Sequence, residues 1–209
     1  MDYFTRYGLE FNPFIKNSKE ILVDSSEYRE TIFRLDYLAK TKGFGLLTGS
    51  PGRGKTTTIR NWASNLNPSL YKVIYSSLST LTPNDFYRNL VRELGAEPAF
   101  KKPDNFRIIQ EEILGIHEPL KQRIVMNYNL EGLTKEEGHN YITEKLKGAG
   151  CNQTVFEEAA IEAILNAADG TPRMINKYCN QSMLIGDSNK ANLITTDIVM
   201  QAVNDCELG

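Results

Sequence analysis

The stretch of the chain richest in chemistry is Gly49-Ser50-Pro51-Gly52-Arg53-Gly54-Lys55-Thr56, which fits G-x-x-x-x-G-K-[ST] throughout. Glycines let the backbone take positive φ and approach a polyphosphate with no Cβ in the way. Successive amides then point inward as an anion nest, reinforced by the positive end of the helix that follows. In such a loop Lys55 bridges the β- and γ-phosphates and the Thr56 hydroxyl ligates Mg²⁺. The chemistry this spacing serves is binding ATP or ADP with Mg²⁺, and hydrolysing ATP. The motif needs a strand leading in and a helix leading out. The apolar run Phe44-Gly45-Leu46-Leu47-Thr48 suits a buried strand, and Ile59, Trp62, Ala63 and Leu66 share a face of a helix over Thr56–Leu66.

Two arginines are further candidates. In Gly170-Thr171-Pro172-Arg173, Pro172 at the helix start puts Arg173 in the first turn, against the dipole, at a cost of ~0.3–1 kcal/mol. A position that breaks a local rule is either a tolerated exposed arginine or a functional one. With a phosphate loop upstream, its natural partner is an anion such as the γ-phosphate. Arg123 stands just ahead of the apolar run Ile124-Val125-Met126, where it either contacts a nucleotide on a neighbouring subunit or is simply solvated. Lys101-Lys102 and Lys135-Glu136-Glu137 read as solvated faces.

The elements that must position these residues follow from periodicity and capping. Tyr28, Ile32, Leu35 and Leu38/Ala39 form one helical face over Glu27–Lys42, with Asp24, Ser25 and Ser26 as caps and Gly43 as terminator. Lys72-Val73-Ile74-Tyr75-Ser76 reads as a second buried strand. Thr82-Pro83-Asn84-Asp85 opens a helix that runs to Leu94 and stops at Gly95. From residue 134 the character changes to four helical patterns, opened by Thr134 with Glu137, Thr154 with Glu157, Thr171 with Pro172, and Thr195/Thr196. Gly148, Gly170 and Gly186 punctuate their ends. The expected organisation is an α/β phosphate-loop domain over 1–133, with residues 1–26 as an arm, and an all-helical module over 134–209.

Composition bounds the rest. The chain has 209 residues, 41% of them hydrophobic and 24% charged, which is ordinary for a folded globular protein and excludes wholesale disorder. A net charge of −2 removes the simplest case for nucleic-acid binding, a strongly basic domain, and leaves a local basic surface open. No stretch approaches the ~20 apolar residues of a membrane span. The first residues lack the basic-then-apolar pattern of a signal peptide, so a cytoplasmic location is expected. Cys151, Cys179 and Cys206 are odd in number and widely spaced, as reduced thiols are. His117 and His139 have no second ligand type at useful spacing, which argues against a nitrogen–sulfur metal site.

One component is missing. A phosphate-loop ATPase needs a second strand ending in Asp or Glu to hold Mg²⁺ and orient water, and none is found from Leu78 to Leu133. Glu111 and Glu112 follow too short an apolar run, and Phe106, Ile109 and Ile113 instead share a helical face. Ile124-Val125-Met126 ends in Asn127. Three strands also make a small parallel core. Two βα units, ~60 residues at ~30 each, are therefore expected to be absent at about residues 113–114.

With these residues in place the chain resembles the AAA+ ATPases of the ExeA/GspA and TniB/TnsC/IstB group, which includes transposition helper ATPases and a secretion ATPase. The resemblance covers nearly the whole chain. It rests on Tyr7-Gly-Leu-Glu-Phe-Asn-Pro-Phe14, Gly43-Phe-Gly-Leu-Leu-Thr-Gly49 through Thr57, and Pro119-Leu-Lys-Gln-Arg-Ile124. Tyr141-Ile-Thr-Glu-Lys-Leu146 with Ala149-Gly150, and Gly170-Thr-Pro-Arg-Met-Ile-Asn176, complete it. It implies a nucleotide contact set running from Gly49 to Thr57, Arg173 as the sensor-2 arginine of a helical lid, and Arg123 as a trans-acting arginine finger. It places Phe11, Pro13 and Phe14 near or beneath adenine. It further implies a self-oligomer, ring or filament, that assembles with ATP on duplex DNA beside a transposase. A secretion-type ATPase, which usually carries a membrane span after this module, and a nucleotide-gated module with little hydrolysis are the alternatives. The segment carrying the family's Mg²⁺-coordinating acid, catalytic glutamate and sensor-1 residue has no counterpart in the sequence. Intact mass checks the missing units: 23.6 kDa is expected for this polypeptide, and ~7 kDa more would mean that the units are present in it.

Overall fold

The computed structural model describes residues 3–16, 18–41, 43–76, 81–112 and 124–207. Its elements are α1 (Tyr3–Tyr7), α2 (Ser26–Thr41), β1 (Phe44–Gly49), α3 (Lys55–Ser64), α4 (Pro83–Leu94), α5 (Lys102–Glu112), β2 (Ile124–Leu130), α6 (Lys135–Gly148), α7 (Glu158–Ala168), α8 (Pro172–Ser188) and α9 (Thr196–Glu207). They gather into two compact units, Met1–Arg60 with Ile124–Gly209, and Asn61–Arg123. Residues 113–114, where the missing βα units are expected, lie outside the described residues, as do Ile113 and Arg123.

In the first unit β1 and β2 pair in parallel, with Gly45 opposite Met126 and Gly49 opposite Leu130. β2 is longer than the three residues expected from its apolar run, because the pairing continues through Asn127, Tyr128 and Asn129. Thr48 Oγ1 donates to Tyr128 O at 3.3 Å and to Asn129 Oδ1 at 3.1 Å. The expected burial of the first strand is incomplete: Leu46 is half exposed. Helix α2 packs on both strands. Tyr128 Oη donates to Glu27 Oε2 at 2.8 Å, and Arg34 lies 4.5 Å above the Tyr128 ring. Burial and the Glu27 carboxylate push the Tyr128 phenol up to about 12.

The helical module holds most of the unit's core. Ile142, Ala160, Ile164, Ile175, Cys179, Met183, Ile194 and Val199 bury their side chains fully. Cys151, Cys179 and Cys206 are free thiols. Thr154 does not open α7. Phe156 and Ile194 form an isolated parallel bridge instead, and Ile194 N donates to Val155 O at 2.8 Å, so extended β-branched and aromatic residues outcompete a helical turn. Gly186 ends nothing: it sits inside α8, where a Cβ would clash with Ile194 Cδ1 and Tyr7 Oη. Its smallness lets the N-terminal arm approach.

That arm is sewn onto the helical module. Tyr7, Leu9 and Phe14 join its core. Asn12 Nδ2 donates to Tyr3 Oη at 2.9 Å and to Asn180 Oδ1 at 2.6 Å, and Arg6 pairs with Asp187 at 2.6 Å. Lys145, its pKa pushed down by burial, donates to Pro13 O at 2.6 Å. Phe14 and Pro13 are thus committed to the module's interior.

In the second unit α4 and α5 pack together. Thr82 caps α4 by accepting from Asp85 N at 3.2 Å, and Gly95 ends it at φ 95. Fully buried Asn105 holds the preceding turn by accepting from Ala99 N and donating to Ala99 O. Glu111 and Glu112 lie on helix α5, so they end no strand. The expected strand at 72–76 is irregular, because no neighbouring strand among the described residues pairs with it, and Val73 and Tyr75 stay half exposed.

Glu137 carries more than the capping box expected of it. Its Oε2 accepts from Thr134 N at 3.1 Å, while its Oε1 accepts from Ser26 N at 2.7 Å at the start of α2. Burial raises its pKa, but the bonds from Ser26 and Thr134 outweigh that and hold it below the ordinary carboxylate value. A depressed carboxyl contributes stability at neutral pH that is lost as pH falls through the folded pKa. Glu137→Gln is expected to lower stability by about 1 kcal/mol at neutral pH and to flatten the acid limb below about pH 5, as denaturant titrations at several pH values will show.

Candidate functional site

The glycine-rich loop joins the end of β1 to the start of α3, the strand-to-helix turn that the motif requires. Gly49, Gly52 and Gly54 take φ of 137, 87 and 93, all in the region that side chains avoid. At Gly52 there is a second constraint. A Cβ there would stand 2.7 Å from Arg173 Cβ and 3.2 Å from Thr171 Cγ2, so the helical module presses on the loop itself. Arg53 N donates to Ser50 O at 3.4 Å to close the turn, and Thr58 N donates to Gly54 O at 2.9 Å to begin the helix.

Charge in the loop is one-sided. Helix α3 has no acidic residue in its first turn, so nothing of its own offsets the positive end of its dipole. Lys55 Nζ donates to Gly49 O at 2.7 Å and Ser50 O at 2.9 Å, lying across the mouth of the loop. Thr56 and Thr57 are exposed in the first turn of α3 and Ser50 and Pro51 are exposed on the loop. Amides, an ammonium and a hydroxyl at one helix start are the donor set of a triphosphate cradle. A cation there would find the Thr56 hydroxyl. Among the described residues no group of three or more His, Cys, Asp or Glu is arranged to hold a metal.

Arg173 is brought to this loop. Its amide donates to Gly52 O at 3.4 Å from the first turn of α8, which carries no acidic residue and whose Thr171 makes no side-chain cap. Its guanidinium is exposed and forms no ion pair among the described residues. Arg123 lies outside the described residues. The opening segment packs in the core of the helical module, as described above. Two participants escaped the sequence reading: the Arg53 side chain, which leaves the loop toward the module, and Gly132 between β2 and α6, which receives it. The one available signal was an arginine at a variable loop position with a glycine just ahead of a capping box.

A family model described as an AAA domain matches residues 38–160. The chain is 25% identical to general secretion pathway protein A of Aeromonas hydrophila, over 87% of this chain and 44% of that protein. The chain therefore spans less than half the length of that curated relative. The alignment runs over 243 positions while the chain has 209 residues, 87% of them aligned, so roughly 60 positions of that protein's aligned stretch face no residue here. Among solved structures, the Thermotoga maritima RuvB Holliday junction branch migration motor matches with a TM-score of 0.59 at 19% identity, covering 87% of this chain and 69% of that one. The Aeropyrum pernix ORC2 protein, solved as ADPNP–ADP complexes, matches with a TM-score of 0.59 at 13% identity, covering 93% and 71%. These likenesses are of fold.

Gly52→Ala combines a left-handed backbone with the clash against Arg173. It is expected to destabilise the chain by at least ~1–2 kcal/mol, read as a lowered melting temperature.

Proposed function

The chain belongs to the AAA-domain family, and from that premise we propose that it is an ATP-controlled assembly module that works on duplex DNA as a transposition helper. The observation that carries this reading is the contact of Arg173 N with Gly52 O, which sets the first turn of a second helix and its free guanidinium beside the phosphate loop. Gly49 to Thr57 cradle the triphosphate, every residue but Pro51 having an amide N–H to offer. Lys55 contacts the β- and γ-phosphates, Thr56 ligates Mg²⁺, and Arg173 reads the γ-phosphate from the lid. Arg123 serves as the finger that reaches a neighbour's nucleotide. Residues 1–133 form the ATPase domain and 134–209 its lid, in a cytoplasmic self-oligomer that meets a transposase on DNA.

Two neighbours in fold, a Holliday junction branch migration motor and an ORC2 protein solved as ADPNP–ADP complexes, support this reading at the level of fold. A nucleotide-gated module with little hydrolysis is an alternative, favoured by the roughly 60 aligned positions of the relative, the size of about two βα units, that have no counterpart here. A secretion role is the second reading, favoured by the 25% identity to general secretion pathway protein A. No helix among the described residues is long and apolar enough to cross a membrane.

In an ATP titration, Lys55→Ala is expected to weaken binding at least ~10-fold, the loss of one charge-assisted hydrogen bond. Equal affinities would overturn the nucleotide site. Duplex DNA retained only with ATP or a non-hydrolysable analogue, and lost on raising salt, supports the DNA role. No retention at low salt gives the secretion reading precedence.

A further inference from the structure

We propose that Arg53 couples the phosphate loop to the lid hinge, so that loop shape and lid position change together; this rests on the nucleotide reading of the same loop. Arg53 contributes only its amide to the turn. Its side chain leaves in the other direction and is 12% exposed, packed where the lid joins the rest of the unit. The guanidinium lies in the space that a Cβ on Gly132 would take, and Nη1 stands 3.1 Å from where a Cβ on Gly170 would be. Gly132 separates β2 from α6 and Gly170 separates α7 from α8, at φ of 110 and 62. Leu133 N donates to Gly170 O at 2.9 Å, tying these two turns into one hinge.

The seat is tight in shape and poor in bonds. The ion pair of Arg53 with Asp169 spans 3.7 Å, beyond hydrogen-bond reach, to a carboxylate that is 98% exposed. Arg53 Nε is buried with no hydrogen-bond partner. A buried donor left unmade is costly, so what keeps the side chain there is the shape of the loop and the absence of side chains at the two glycines. Gly52, the adjacent loop residue, holds the lid through Arg173 N. Neighbouring loop residues therefore touch both sides of the hinge. When the amides from Gly52 to Gly54 turn onto a polyphosphate, the Cα of Arg53 turns with them, and the guanidinium pulls on or leaves the hinge. A cleft of 520 Å³ bordered by Arg53, Glu131, Thr134 and Leu165 lies beside the seat.

Hydrogen exchange tests the coupling, with each variant titrated to its own saturation in ATP. In the parent chain ATP is expected to change exchange at the Leu133 and Arg173 amides at least ~5-fold, the lower end of ordinary coupling. In Arg53→Ala the change falls below ~2-fold, and a full parental response overturns the proposal. If the parent itself binds no ATP, the nucleotide reading fails instead, and a thermal cycle still judges the contact. Gly132→Ala lowers the melting temperature less in the Arg53→Ala background than in the parent, because the space is already open. Additive effects overturn the contact.

Discussion

The lid's α8 begins on the carbonyl of Gly52, and the rest of the structure is arranged around that approach. Two backbones can come this close only if the loop residue has no side chain, and a Cβ at Gly52 would run into Arg173. The loop is thereby walled on one side by another part of the chain, while Lys55 Nζ lies on the carbonyls of Gly49 and Ser50. An arginine in the first turn of a helix costs some stability against the dipole.

The lid does not stand alone in holding that wall. The N-terminal arm is fastened to it by the Arg6–Asp187 pair, by Asn12 with Asn180, and by Lys145 on Pro13 O. Glu137 accepts from the starts of both α2 and α6, so one carboxylate ties the helix that covers the strands to the first helix of the lid. Strands, loop, arm and lid consequently fall in one compact unit.

The sheet tells a complementary story about chemistry. Phosphate binding needs amides, a lysine and a helix start, all local to one strand and one turn. Hydrolysis needs a carboxylate delivered by a neighbouring strand, and among the described residues β1 pairs with β2 alone. Binding and turnover thus draw on different parts of the fold. The former draws on one strand and one turn, the latter on sheet strands brought together across the chain.

What the sequence determined by itself was local. The phosphate loop, its flanking strand and helix, the caps at Thr82 and Thr134, and the odd position of Arg173 follow from short-range rules of backbone sterics, hydrogen bonding and helix dipoles. Tertiary structure decided whatever depended on a partner distant in the chain. Val73 and Ile74 had the composition of a strand but found no strand to pair with among the described residues, since a ladder needs two members. Phe11 to Phe14 went to the helical core because that core offered apolar cover and a partner for Asn12, which no periodicity encodes. Gly186 reads as punctuation and Gly132 stands out only for its place ahead of a capping box, yet each is a gap kept for a side chain far away in sequence, Tyr7 in one case and Arg53 in the other. Steric exclusion between residues distant along the chain leaves no local trace, so only the folded arrangement could assign those glycines their roles.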